Sequence, residues 1–178
     1  MKVGQAKNLD HEVKLKDDDL IVSKTDKKGK ILYANRSFMN ISGFSEQMLL
    51  GEPHNIIRHS DMPRGVFRLM WKMLQDGDEF FGFVKNRCLD GGFYWVFANV
   101  TADLDEHGAL QGYFSVRRQP SSAAVSLCEG LYKQMRDIES QYPGNEGINR
   151  SVEWLLDQVY TMAPTFNEAM FTLYQKGK

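Results

Sequence analysis

Hydrophobic and polar positions change their period several times along this chain. Leu20–Thr25 and Ile31–Ala34 are short runs rich in apolar and β-branched residues. They flank Asp26-Lys27-Lys28-Gly29, a turn composition, so the pair predicts a β-hairpin. Phe38, Ile41 and Phe44 then recur at helix-face spacing, with Gly43 as a stop. Ser45 caps a second short helix through Leu50, closed by Gly51. Pro53 to His59 has room for one further helical turn. Asp61 or Met62 caps a longer helix with Pro63 near its first position, where a missing N–H costs least. Val66, Phe67, Met70, Trp71 and Leu74 share its apolar face, and Gly77 ends it. The period next falls to two. Phe81, Phe83, Lys85 and Arg87 alternate with Gly82, Val84, Asn86 and Cys88. Asp90-Gly91-Gly92 turns the chain into a strand over Phe93–Thr101, and Asp105–Gly108 turns it into a last strand over Leu110–Arg118.

Two hairpin groups with helices between them predict an α+β domain, a five-stranded antiparallel sheet with helices on one face. The expected organisation is an N-terminal arm over 1–19, this sheet domain over 20–120, and a helical tail over 121–178. In the tail, Ala124, Cys128, Leu131, Met135 and Ile138 form one stripe, and Ile148, Val152, Leu155, Val159 and Met162 a second. Thr165-Phe166-Asn167-Glu168 is a capping box that opens a third helix. Each stripe holds about two heptads, too short to stand alone in water. Two readings stand: a bundle packed on the sheet or on itself, or a seam for dimerisation or a partner helix.

Charge narrows the partners. Lys plus Arg is 22 against 23 for Asp plus Glu, so no global field draws the chain to nucleic acid or an anionic membrane. No apolar run approaches the ~20 residues of a spanning helix, and Met1 to Asn8 has no hydrophobic core of a secretory signal. The expectation is a cytoplasmic protein. Cys88 and Cys128 are too few and too distant for a disulfide framework or a CxxC site. His54 and His59 have no third ligand beside them, so no metal centre is expected.

Candidate chemistry gathers in Pro53-His54-Asn55-Ile56-Ile57-Arg58-His59-Ser60-Asp61-Met62-Pro63. Arg58 offers a planar fork of donors suited to phosphate. Free N–H groups at the start of the following helix would add partial positive charge for an anion such as a pyrophosphate. The alternative is that Arg58 and Asp61 pair with each other and cap that helix. Asn86 shares strand parity with Val84 and Cys88, so its amide would face an apolar side and need partners there. A flat heterocycle, a neighbouring strand or a water would serve. Asn99 is analogous, with a less defined direction. Trp71 is either core or a stacking platform. No GxSxG, GxGxxG or GxxxxGK[ST] is present, so no catalytic role is expected.

Ala34-Asn35 before the first helix, Gly43-Phe44 after it and the late aromatic strands resemble a PAS sensor domain. The string from Gly51 to Pro63, then Met70-Trp71, Gly82-Phe83-Val84-Lys85-Asn86-Arg87 and Tyr94-Trp95-Val96-Phe97-Ala98-Asn99, resembles the PAS domains of the bacterial aerotaxis-receptor type over about residues 17–120. That resemblance implies a PAS fold and non-covalent FAD. Arg58, His59 and Asp61 match the family's FAD-linked motif, within a string that also contains His54 and Asn55. Trp71 matches its pocket tryptophan, and Asn35 and Asn86 match family asparagines near the pocket. Ser60 stands where the family usually has proline.

The resemblance further implies a sensor of redox, oxygen or respiratory state rather than an enzyme. Receptors of this type continue into a membrane anchor and a signalling coiled coil, which this sequence lacks. The expected output is therefore a partner in trans, a membrane-bound chemotaxis transducer or another signalling protein, reached by a homodimer through the tail. Rival readings are a haem-binding gas sensor ligated by His54 or His59, a cofactor-free PAS interaction module, and a small flavoenzyme. A light-driven flavin–thiol adduct is not expected, because the helical cluster carries no cysteine and Cys88 is read as a strand residue.

Overall fold

The computed structural model describes residues 11–176; the predicted arm over 1–19 therefore lies mostly outside them. The chain gathers into two compact units. Among the described residues, the first holds 11–59 and 84–119, and the second 60–83 and 120–176.

Five strands, β1 (Ile21–Asp26), β2 (Ile31–Ala34), β3 (Phe80–Arg87), β4 (Phe93–Leu104) and β5 (Leu110–Arg118), form one sheet in the order β2-β1-β5-β4-β3. The pairs β1–β2, β1–β5 and β4–β5 are antiparallel. The register sets Ile21 opposite Arg117, and Arg117 opposite Ala98. Directly paired residues share a face of the sheet.

Between β2 and β3 lie α1 (Arg36–Ser42), α2 (Glu46–Leu49), a single 3-10 turn over His54–Ile57, and α3 (Arg64–Gln75). Asn35 caps α1: its Oδ1 accepts from Phe38 N at 3.0 Å and from Val22 N at 3.1 Å, and its Nδ2 donates to Leu20 O at 2.7 Å. One side chain thus ties the start of α1 to β1. Gly43 ends α1 with φ +73°, a left-handed conformation that costs glycine no Cβ clash. In the first unit Ile21, Ile31, Phe38, Leu49, Tyr94 and Val96 form the centre of the core, all shut off from solvent.

The second unit holds α3 and the tail helices α4 (Ser122–Gln141), α5 (Gly144–Tyr160) and α6 (Phe166–Gln175). Most of the predicted stripes turn inward: Ala124, Cys128 and Met135 on α4, and Ile148, Leu155 and Val159 on α5, are buried, Leu131, Ile138 and Val152 are half-buried, and Met162, past the end of α5, is exposed. Gly65 on α3 makes the close approach possible. A Cβ there would meet Ser151 and would lie 2.9 Å from Met135 Cε. Thr165 caps α6 by accepting from Glu168 N at 3.2 Å, as its sequence predicts.

Two local expectations need correction. The cap of α3 is Pro63 rather than Asp61 or Met62, and it offers no side-chain hydrogen bond. Cys88 lies just past the end of β3, at the turn into β4.

Candidate functional site

In the first unit the 3-10 turn and the two residues after it are fastened to the end of β3. Arg58 and Asn86 form an isolated antiparallel bridge. His59 N donates to Lys85 O at 3.3 Å, and Arg87 Nε donates to Ile56 O at 2.7 Å. Arg58, His59 and Asn86, separated by more than two dozen residues in sequence, are thereby neighbours. The His59 ring meets Phe93 edge-on with centroids 5.9 Å apart, and Lys85 Nζ sits 4.2 Å from the centre of the same Phe93 ring. Asn55 is exposed on the turn, with its carbonyl accepting from Arg58 N at 3.0 Å.

Strand parity places Asn86 as expected: it is buried, on the side of Cys88 and Tyr94. Its amide lies against the Tyr94 hydroxyl. Burial, the larger effect, raises the Tyr94 hydroxyl far above the ordinary phenol range, so it is protonated at neutral pH. That hydroxyl nevertheless completes no hydrogen bond of normal geometry, and neither does the buried Thr25 Oγ1 on β1. Such atoms are uncommon in folded interiors and call for an explanation.

The most unusual group is Arg117 on β5, with a relative exposure of 2%. Its Nε donates to Ser115 Oγ at 3.1 Å, its Nη2 donates to Ser23 Oγ and lies 3.3 Å from His54 Nε2, and its Cζ lies 4.8 Å from the centre of the Phe38 ring. Its Nη1 has no partner, and no carboxylate pairs with it among the described residues. Burial lowers its pKa to about 10, which leaves it charged at neutrality. Burial, reinforced by the Arg117 cation, pushes His54 down to about 3. The imidazole is therefore neutral. A guanidinium has only donors, so Nε2 is its acceptor and the ring proton sits on Nδ1. Ser23 Oγ is 3.1 Å from the same Nε2.

The remaining predicted positions fall elsewhere. Asn35 spends its amide on backbone groups, as described above. Asp61 and Trp71 belong to the second unit, both half-buried, Asp61 in the loop before α3 and Trp71 on α3 itself. The Asp61 carbonyl accepts from Arg136 Nη1. The N–H groups of Arg64 and Gly65, at the start of α3, are not open to an external anion. They donate to the two oxygens of Glu139 at 3.0 and 2.8 Å, and Ser151 Oγ donates to the same carboxylate at 2.9 Å. That helix end already has its negative partner.

Cys88 Sγ donates to Ile41 O at 3.4 Å, and burial raises its thiol to about 11, so little thiolate exists at neutral pH. Arg117, Ser23 and Tyr94 were not singled out from sequence. Only the strand register, which sets Arg117 opposite Ile21 and Ala98, distinguishes it from its exposed neighbour Arg118.

The family model described as the PAS fold matches residues 20–119. The aerotaxis receptor of Escherichia coli (strain K12) is 37% identical over 141 residues, 79% of this chain and 28% of the receptor. The nitrogen fixation regulatory protein of Klebsiella pneumoniae is 32% identical over 119 residues, 67% of this chain and 24% of that protein. The chain thus spans about a quarter of the length of these curated relatives. A solved light-oxygen-voltage domain, studied with a flavin analogue, superposes with a TM-score of 0.54 over 66% of this chain and 86% of its own, at 18% identity.

Proposed function

The chain belongs to the PAS fold family, and from that premise we propose that it is a flavin-binding sensor module that takes up FAD in its first unit. The observation that carries this reading is the fastening of Arg58 and His59 against Asn86 at the edge of a core that keeps polar atoms of Tyr94 and Thr25 without partners. A flat heterocycle with alternating donors and acceptors matches such groups. When bound, FAD would supply the redox chemistry. The chain's own residues would bind and orient it: Asn86 by its amide, Arg58 and His59 at the phosphates, with His54 and Asn55 shaping the turn that carries them. Asn35 is assigned a fold-building part. Asp61 and Trp71 are assigned by resemblance alone.

The names of the relatives, an aerotaxis receptor and a nitrogen fixation regulator, support a signalling role. The input is the redox, oxygen or respiratory state. The output is a signalling partner, such as a membrane-bound chemotaxis transducer, contacted by a homodimer in the cytoplasm and without catalytic turnover. No helix among the described residues is long and apolar enough to cross a membrane. The haem reading needs an axial imidazole from His54 or His59; His54 Nε2 is already met by Ser23 and Arg117, which leaves His59 to that reading.

The absorption spectrum of the purified protein and the identity of the heat-released cofactor test this reading. Twin flavin bands and recovered FAD are expected. Recovery of FMN alone, a Soret band, or a colourless protein that takes up no flavin would overturn it.

A further inference from the structure

We infer that Arg117 is a ligand-recognition residue: its unpartnered Nη1 is held in the first unit to meet the electron-rich carbonyl or anionic edge of the bound heterocycle. The inference rests on the flavin reading above and names the group that reads the ring, which neither the sequence string nor the resemblance assigns.

Charge comes first. A buried guanidinium is ordinarily met by a carboxylate, because an uncompensated ion in the interior is strongly unfavourable. Arg117 has only neutral neighbours, the hydroxyls of Ser23 and Ser115, the neutral His54 ring and the face of Phe38. Those groups satisfy Nε and Nη2 and fix the plane of the fork, but they do not cancel its charge. Orientation comes next. With two of its nitrogens anchored to β1, β5 and the 3-10 turn, the guanidinium cannot swing freely, and Nη1 remains as a preset donor.

The surroundings also favour a specific kind of guest. Thr25 Oγ1, in this unit, is a further polar atom without a partner, and the Tyr94 hydroxyl has only the poorly aligned Asn86 amide beside it. A planar heterocycle bearing carbonyls would accept from Nη1. A purely apolar ligand would leave the charge as poorly compensated as before. Packing alone does not explain the residue either, since a methionine would fill the same volume without an ion. Groups buried at such a cost are candidates for functional sites.

The test compares full-length Arg117→Met, Arg117→Lys and the control Arg118→Met, the last at an exposed neighbour. Thermal melting is measured without flavin, and FAD affinity by titration. Loss of a charge-assisted hydrogen bond should weaken FAD binding about 10- to 100-fold in Arg117→Met, while its flavin-free melting temperature equals or exceeds wild type. Arg117→Lys keeps the charge but not the fork, and should bind FAD less tightly with shifted visible bands. Arg118→Met should match wild type in both.

If Arg117→Met takes up FAD with wild-type affinity, Arg117 belongs to the framework and the inference is wrong. Should Arg117→Met not fold, an Arg117→Lys protein with wild-type affinity and band positions overturns it equally. A wild-type chain that takes up no FAD removes the proposed function itself, an outcome distinct from either.

Discussion

The two units treat buried polar groups in opposite ways. The second unit closes its polar accounts internally. Glu139 accepts from two amides at the start of α3 and from Ser151, Asn167 bridges Phe81 N and Glu79 O, and Tyr132 donates to Phe83 O at 2.6 Å. The first unit keeps Thr25 Oγ1, Tyr94 OH and Arg117 Nη1 without partners, and among the described residues no such atom belongs to the second. Satisfied networks rigidify, whereas unsatisfied ones destabilise a fold unless something else completes them. On the proposed reading, the difference separates a unit that completes its own polar groups from one whose remaining polar atoms a ligand would complete.

The largest expected effect breaks the stable side. Leu155 on α5 is 1% exposed, and Leu155→Ala should destabilise the chain by about 2–5 kcal/mol. Urea unfolding would measure it, and a loss below 1 kcal/mol would mean the tail interior is loosely packed. Next, Glu139→Ala removes charge-assisted acceptors from Arg64 N, Gly65 N and Ser151. It should cost about 1.5–3 kcal/mol and speed hydrogen exchange at the first turn of α3 selectively.

In the first unit, Asn35→Ala deletes the cap of α1 and its ties to Val22 and Leu20. About 1–2 kcal/mol is expected. With FAD in excess, the folded variant should bind with near wild-type affinity, since the amide is spent on backbone. A large affinity loss without a stability loss would return Asn35 to the ligand.

The smallest effect is a slope. His54 has a folded pKa of about 3 against 6.5 for an ordinary imidazole, so between these values the unfolded chain binds up to one proton more than the folded one. Stability from this group is fully present above the unfolded pKa and falls as pH drops through 6.5 toward 3, by at most about 1.4 kcal/mol per pH unit. His54→Gln should flatten the decline between pH 6.5 and 4.5 relative to wild type. Parallel curves would show that the imidazole is not neutral and buried.

Much of the fold was legible because local chemistry decides it. Gly43, the Asp26–Gly29 turn, the Thr165 box and the parity of Asn86 each act over a few residues. The family resemblance rested on a contiguous string for the same reason. The allegiance of α3 was not legible, since it depends on Gly65 and Glu139, 74 positions apart in sequence. The tail stripes were visible, but only packing shows them filled by the chain's own helices. Arg117 was hidden by pattern: Leu110, Phe114 and Val116 share one parity of that strand, the parity that an apolar alternation would turn inward. The register instead turns in Ser115 and Arg117, opposite Ser23 and Ile21. A polar residue aimed inward against the apolar alternation breaks a local folding rule, and the inference drawn above for Arg117 gives that break a reason.

Hydrogen exchange on the full chain, with and without saturating FAD, tests the contrast most directly. The account predicts that FAD slows exchange in β1, in β5 and around residues 54–58, while α5 and α6 exchange at unchanged rates. Protection concentrated in α4 to α6, with β1 and β5 unaffected, would contradict it.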